Sequence, residues 1–107
     1  MTTVTYTRAA QSSSKEIAGQ QALCRDLCQR RGWEIATEYV DNGYGAFAHR
    51  PAFEAMVKAI ESGQIQRVVI DAAYRISRSL ADMNVFLDLT ETHGVEVAIA
   101  QQALNAR

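Results

Sequence analysis

Val4 and Tyr6 alternate with Thr3, Thr5 and Thr7, and this period of two in β-branched and aromatic residues predicts a strand ending near Arg8. Beyond the polar stretch Gln11-Ser12-Ser13-Ser14, residues Ile17, Gln20, Leu23, Cys24, Leu27 and Cys28 fall at three-four spacing and predict a helix ended by Gly32. Trp33, Ile35, Thr37 and Tyr39 alternate as a second strand. The turn formers Asp41-Asn42-Gly43-Tyr44-Gly45 then break the pattern before Pro51, which suits the first turn of a helix. That second helix sets Phe53, Met56, Val57 and Ile60 on one stripe for burial and stops at Gly63. The continuous apolar run Val68-Val69-Ile70 predicts a central strand covered by helices on both faces. Ser79 followed by Asp82 resembles a capping box opening a third helix, which carries Leu80, Met83, Phe86, Leu87 and Leu89 and ends at Gly94. Val95, Val97 and Ile99 make a fourth strand.

Strict alternation of strand and helix places the chain in the α/β class, with right-handed crossovers and a mainly parallel sheet. Open sheets of this kind put their functional crevice beyond the carboxyl ends of the strands. Three connections lie there: the one after Arg8, residues 41 to 50, and residues 74 to 79. Each carries arginine.

Composition narrows the partners. A chain of 107 residues with 48% hydrophobic and 21% charged positions is one small globular domain. Eleven basic residues against twelve acidic ones give a formal net charge of -1, which excludes an overall positive field for holding a polyanion. Any contact with DNA must therefore come from a local cluster. The opening MTTVTYTR has no apolar core, and no apolar run approaches the about 18 residues of a membrane span, so no membrane partner and a cytoplasmic location are expected. Cys24 and Cys28 lie one helical turn apart, an unusual site for a disulfide, and His49 and His93 belong to other segments. Buried apolar cysteines in a reducing compartment, with no metal, are the expectation.

Arg8, Arg50, Arg75 and Arg78 would then converge on one rim of a chain that is not basic overall. Guanidinium groups offer paired donors matching two phosphate oxygens and stay charged at physiological pH, so the group describes a phosphodiester site. Taken singly, each reads more readily as a solvated surface arginine; their shared location in three strand-end connections is what favours a common site.

Tyr6-Thr7-Arg8-Ala9-Ala10 is similar to the Tyr-x-Arg-x-Ser opening of the serine recombinases, the resolvase/invertase family. Residues 20 to 33 are similar to the first helix of the large serine integrases. Asp41-x-Gly43-x-Gly45 with Arg50-Pro51, and Tyr74-Arg75-Ile76-Ser77-Arg78-Ser79, resemble that group's Asp-x-x-Ser-Gly, Arg-Pro and Asp-Arg-Leu-Ser-Arg-Ser segments. The likeness runs in order over residues 4 to 100. It implies a three-layer sandwich with strand order 2-1-3-4 and a chain whose residues 1 to 107 form one catalytic-type domain. The family's dimerising helix and DNA-binding region would be missing from it.

The resemblance further implies site-specific DNA recombination, in which a serine hydroxyl attacks the DNA backbone and forms a phosphoserine link, with no metal or cofactor. Arg8, Arg50, Arg75 and Arg78 would stabilise the charge gathering on the attacked phosphorus. Asp41 would orient an arginine or the nucleophile, and Gln20 would sit in the supporting layer; a turn former and a solvated helix residue are the plainer readings of these two. Three positions depart from the pattern. Ala10 stands at the nucleophile, Tyr44 replaces the serine before glycine, and Tyr74 replaces the carboxylate before Arg75, which should leave Arg75 without its ionic partner. A methyl group forms no phosphoester, and Ser12, Ser13 and Ser14 are displaced by too much to substitute.

The expectation is thus a recombinase-type domain inactive as it stands, whether Ala10 is native or introduced. In the full family context it would pair as a dimer or tetramer; the isolated chain should be a monomer or weak dimer. The alternative is a natural non-catalytic relative that binds a recombinase or DNA phosphates and regulates. A receiver-like signalling domain shares the small parallel-sheet architecture but needs acidic residues at the strand ends, where this chain has Arg8.

Overall fold

All seven residues of β1 (Thr3–Ala9) are buried, the threonines together with the apolar positions. The computed structural model, which describes residues 2 to 45 and 49 to 105, gives the reason: β1 is an inner strand with a layer of helices on each face. It is followed by α1 (Ser14–Arg31), β2 (Ile35–Asn42), α2 (Pro51–Glu61) and β3 (Arg67–Ile70). A single 3-10 turn at Ala73–Arg75 leads to α3 (Leu80–Thr92), β4 (Glu96–Ile99) and α4 (Ala100–Asn105). The four strands lie in the order β2-β1-β3-β4 and every pairing is parallel, as the alternation of elements and the resemblance imply.

Each face has its own core. Val4, Tyr6, Val68 and Ile70 pack against Met56 and Ile60 of α2 and Phe86 of α3. On the opposite face Val69 meets Cys24, Leu27 and Cys28 of α1 and Ala100 at the start of α4. Local signals set the helix ends. The Ser13 hydroxyl accepts from the Glu16 amide at 3.2 Å to cap α1, and Gly32 closes that helix at φ 71, where a side chain would be strained.

Four details differ from the sequence expectation. β2 continues through Asp41 and Asn42, which pair with Arg8 and Ala9, so the turn begins only at Gly43. Gly43 adopts φ 95, and its amide and that of Tyr44 both donate to the Ala9 carbonyl, at 2.7 and 3.0 Å. Leu80, Val85 and Leu87 of α3 are exposed, by 77%, 68% and 40%, because only the Phe86–Thr90 side of the helix reaches the sheet. A fourth helix, α4, follows β4 directly and packs Ala100 and Ala103 on the α1 face. Finally, the Ser79 hydroxyl caps α3 through the Asp82 amide, while the Ser79 amide donates to Ser77 Oγ, a partner different from the reciprocal capping box.

At the amino end of the sheet, Arg67 of β3 donates to Thr3 Oγ1 of β1 at 3.1 Å and to Glu96 Oε2 of β4 at 3.2 Å. Its guanidinium lies 3.8 Å from the centre of the Trp33 ring, just ahead of β2.

Cys24 and Cys28 are both free and buried. Burial pushes the Cys24 thiol from its ordinary 9.0 up to about 12, and burial also raises Cys28 and the Tyr6 phenol. In each case the folded chain holds a proton that the unfolded chain releases at lower pH. The associated stability is complete below about pH 9 and is lost as pH rises toward the folded values. The urea midpoint should therefore fall between about pH 8 and about pH 10.5, with a shallower fall in Cys24→Ala. An unchanged midpoint across that range would contradict the burial of these groups.

Among the described residues no helix is long and apolar enough to cross a membrane.

Candidate functional site

Arg8 enters the carboxyl end of the sheet from a buried strand position, 3% exposed. Its Nε donates to the Arg75 carbonyl at 3.0 Å, its Nη2 to the Tyr74 carbonyl at 2.8 Å and its Nη1 to the Tyr44 carbonyl at 3.4 Å. The side chain thus ties together the two connections that follow β2 and β3. Gln20 holds the same residue from α1: its Oε1 accepts from the Arg8 amide at 2.9 Å and its Nε2 donates to the Arg8 carbonyl at 2.8 Å. A buried glutamine using both ends of its amide on one residue fixes the strand end without adding charge.

Asp41 sits beside Arg8 in the sheet and is buried. Its Oδ1 accepts from the Ala52 amide at 2.9 Å, and its Oδ2 accepts from the Phe53 amide at 3.0 Å and the Tyr6 hydroxyl at 2.7 Å. The carboxylate therefore closes the amino terminus of α2, where free amides and the helix dipole favour negative charge. Among the described residues it reaches arginine only through the Tyr6 hydroxyl, which accepts from Arg50 Nη1 at 3.4 Å.

Arg50, immediately before α2, is buried and also donates from Nη1 to the Arg75 carbonyl at 3.1 Å. Its guanidinium lies 4.1 Å from the centre of the Phe53 ring and lines an apolar pocket between α2 and α3.

Arg75 turns the other way, toward α1. Its Nε donates to Asp71 Oδ1 at 2.9 Å and Oδ2 at 3.2 Å, and its Nη2 donates to Asp71 Oδ2 at 3.1 Å. One face of its guanidinium is 4.5 Å from the Tyr74 ring centre. The expectation that tyrosine at position 74 leaves Arg75 without an ionic partner is thus corrected. The carboxylate comes from Asp71, at the carboxyl end of β3, and the sequence reading passed over it. The available signal was an acidic residue directly after the apolar run Val68-Val69-Ile70, a position where an unpaired charge is expensive.

A cleft of about 320 Å³ at this end is lined by Arg8, Ala10, Gln11, Glu16, Arg75 and Arg78. It shares Glu16, Arg75 and Arg78 with a wider depression of about 1050 Å³ that extends along α1 to Tyr74 and Gln101. Ala10 is exposed at the wall of the smaller cleft. Arg8, Arg75 and Arg78 are brought together there, Gln20 and Asp41 stand behind, and Arg50 lies outside the cleft. Ser12 is exposed, and the Ser13 hydroxyl is occupied in capping α1. Burial, reinforced by the charges of Arg50, Arg75 and Arg78 against the opposing influence of Tyr6, lowers the Arg8 pKa below the ordinary arginine value.

The family model for the resolvase N-terminal domain matches residues 3–107. The chain belongs to the resolvase family. No curated protein matches the sequence significantly. Among solved structures, this resolvase-family domain is similar to the N-terminal catalytic domain of TP901-1 integrase at TM-score 0.87 and 20% identity, covering 95% of this chain and 79% of the other. It is also similar to a resolvase-family site-specific recombinase from Streptococcus pneumoniae, at TM-score 0.83 and 24% identity over 95% and 73% of the two chains. A third likeness is to the catalytic domain of ISC1926 TnpA, an IS607-like serine recombinase, at TM-score 0.81 and 19% identity over 94% and 67%. At these identities the structural likeness establishes the fold.

Proposed function

We propose that this resolvase-family domain receives a DNA phosphodiester at the carboxyl end of its sheet and, with Ala10 at the nucleophile position, holds it without cutting it. The supporting observation is that Ala10 shares one cleft with Arg8, Arg75 and Arg78 in a chain of net charge -1. Arg78 makes no hydrogen bond or ion pair among the described residues, so its guanidinium is free for a phosphate. Gln20 and Asp41 act as positioning residues, the first on β1 and the second on α2, and Arg50 steadies the Ala73–Arg75 turn. The reaction class served is site-specific recombination, in which the chain contributes phosphate recognition and no covalent step.

The test is a titration of a nicked DNA duplex into the 107-residue chain at low and at physiological salt, followed by denaturing electrophoresis. Weak binding that disappears by about 0.2 M salt, fails in Arg78→Ala and leaves no covalent adduct is expected. A covalent adduct from the chain as it stands, or binding indifferent to Arg78, would overturn the proposal.

A second reading is favoured by α3, whose Leu80 and Val85 are exposed by 77% and 68%: regulation through contact with another recombinase protomer. The isolated chain is then a monomer or weak dimer that crosslinks to a recombinase partner. Loss of that crosslink in Leu80→Ser with Val85→Ser separates this reading from the first.

A further inference from the structure

Arg8 and Arg50 are held by backbone carbonyls. Of the clustered arginines Arg75 alone has a carboxylate of its own among the described residues, and that carboxylate stands three residues earlier than the resemblance places it. The Asp71 side chain is 2% exposed and the Arg75 side chain 19%, so the pair is largely withdrawn from water. Both Asp71 oxygens are engaged, one edge of the guanidinium is occupied, and the Tyr74 ring covers a face. Arg75 Nη1 has no hydrogen-bond partner among the described residues, and Arg75 lines both clefts. A planar fork fixed on one edge and one face presents its remaining edge in a single direction.

We infer that Asp71 is the positioning residue that aims Arg75 into the phosphate cleft, taking over from a carboxylate at position 74. This rests on the proposed phosphate site and adds to it a residue of β3. The relocation also releases position 74 to carry an aromatic side chain, exposed by 42%, at the edge of the wider depression.

Charge and positioning predict opposite signs, which makes the inference testable. A carboxylate near a phosphate repels it, so an Asp71 acting only by charge would weaken binding, and Asp71→Asn would tighten it. An Asp71 that aims Arg75 strengthens binding, because a freed guanidinium swings to solvent and must be ordered again at the site.

The experiment is a titration of the folded 107-residue chain with inorganic phosphate, followed through the Ala10 and Gln11 amide resonances and the Arg75 Nε–H resonance. Asp71→Asn is expected to weaken phosphate binding roughly fivefold to tenfold, the loss of about one charge-assisted contact, and to abolish the slow exchange of the Arg75 Nε proton. Adding Tyr74→Asp to Asp71→Asn should restore at least part of the affinity and the Nε signature, which a merely structural role for Asp71 would not allow. Unchanged or tighter binding in Asp71→Asn, with Arg75→Lys weakened, overturns the inference while leaving the phosphate site standing. Binding indifferent to Arg75→Lys overturns both.

Discussion

Asp41→Ala should lower the stability of the domain by about 2–4 kcal/mol, the combined effect of a lost helix cap and an orphaned buried hydroxyl. The carboxylate accepts from the Ala52 and Phe53 amides and the Tyr6 hydroxyl, and it is 1% exposed. Removing it leaves two amides at the start of α2 and one phenol without a partner, in a place water reaches poorly. Arg50 would lose its link to a negative charge as well, since that link runs through Tyr6. Burying a lone carboxylate is itself unfavourable, which reduces the loss, but three donors and the helix dipole outweigh that penalty. Asp41→Asn keeps one acceptor oxygen and should lose about half as much. Urea unfolding measures both, and a loss below about 1 kcal/mol for Asp41→Ala would remove the carboxylate from its assigned place.

Ala10→Ser is expected to leave strand cleavage at least about a hundredfold slower than in a serine-bearing family member, the usual loss when one preorganised donor is missing from a transition state. The substitution supplies an oxygen at the wall of the cleft. It does not reorient Arg8, three of whose five N–H groups are engaged by the carbonyls of Tyr44, Tyr74 and Arg75. Turning that guanidinium toward a phosphate means breaking contacts that hold two connections in place, and residues that act as a unit do not recover activity one at a time. Covalent protein–DNA adduct on a suicide substrate is the readout. Adduct formed by Ala10→Ser at a rate matching a family member would show that the carbonyl-bound Arg8 is no obstacle.

The period-two strands, the apolar run Val68–Ile70 and the three-four repeat of the helices between them were enough to read an α/β chain with a parallel sheet, while the strand order came from the family resemblance. The site was legible in part. Arg8, Ala10 and Gln20 occupy positions fixed by β1 and α1, so their neighbourhood follows once the strand order is known. Asp41 and Asn42 look like turn formers and are strand residues, since β2 gains pairing with Arg8 and Ala9 by continuing. Arg50 and Arg75 belong to the right connections, but their directions depend on local partners: the Phe53 ring draws one toward α2 and Asp71 draws the other toward α1. The exposed Leu80 and Leu87 show the same limit from the apolar side, because a helix pattern does not reveal how much of its stripe the neighbouring layer will cover.

Arg67 divides labour between the two ends of the sheet. One guanidinium bonds to β1 and β4 from β3 and stacks on the ring that precedes β2, so a single side chain at the amino end adds a clasp across the sheet to the backbone pairing. The opposite end has its own ties in Arg8 and Gln20, and neither depends on the side chains at positions 10, 44 and 74. Alanine at position 10 and tyrosines at 44 and 74 can stand there without disturbing strand order, and the same freedom would let this scaffold exchange chemistry for recognition while its architecture stays intact.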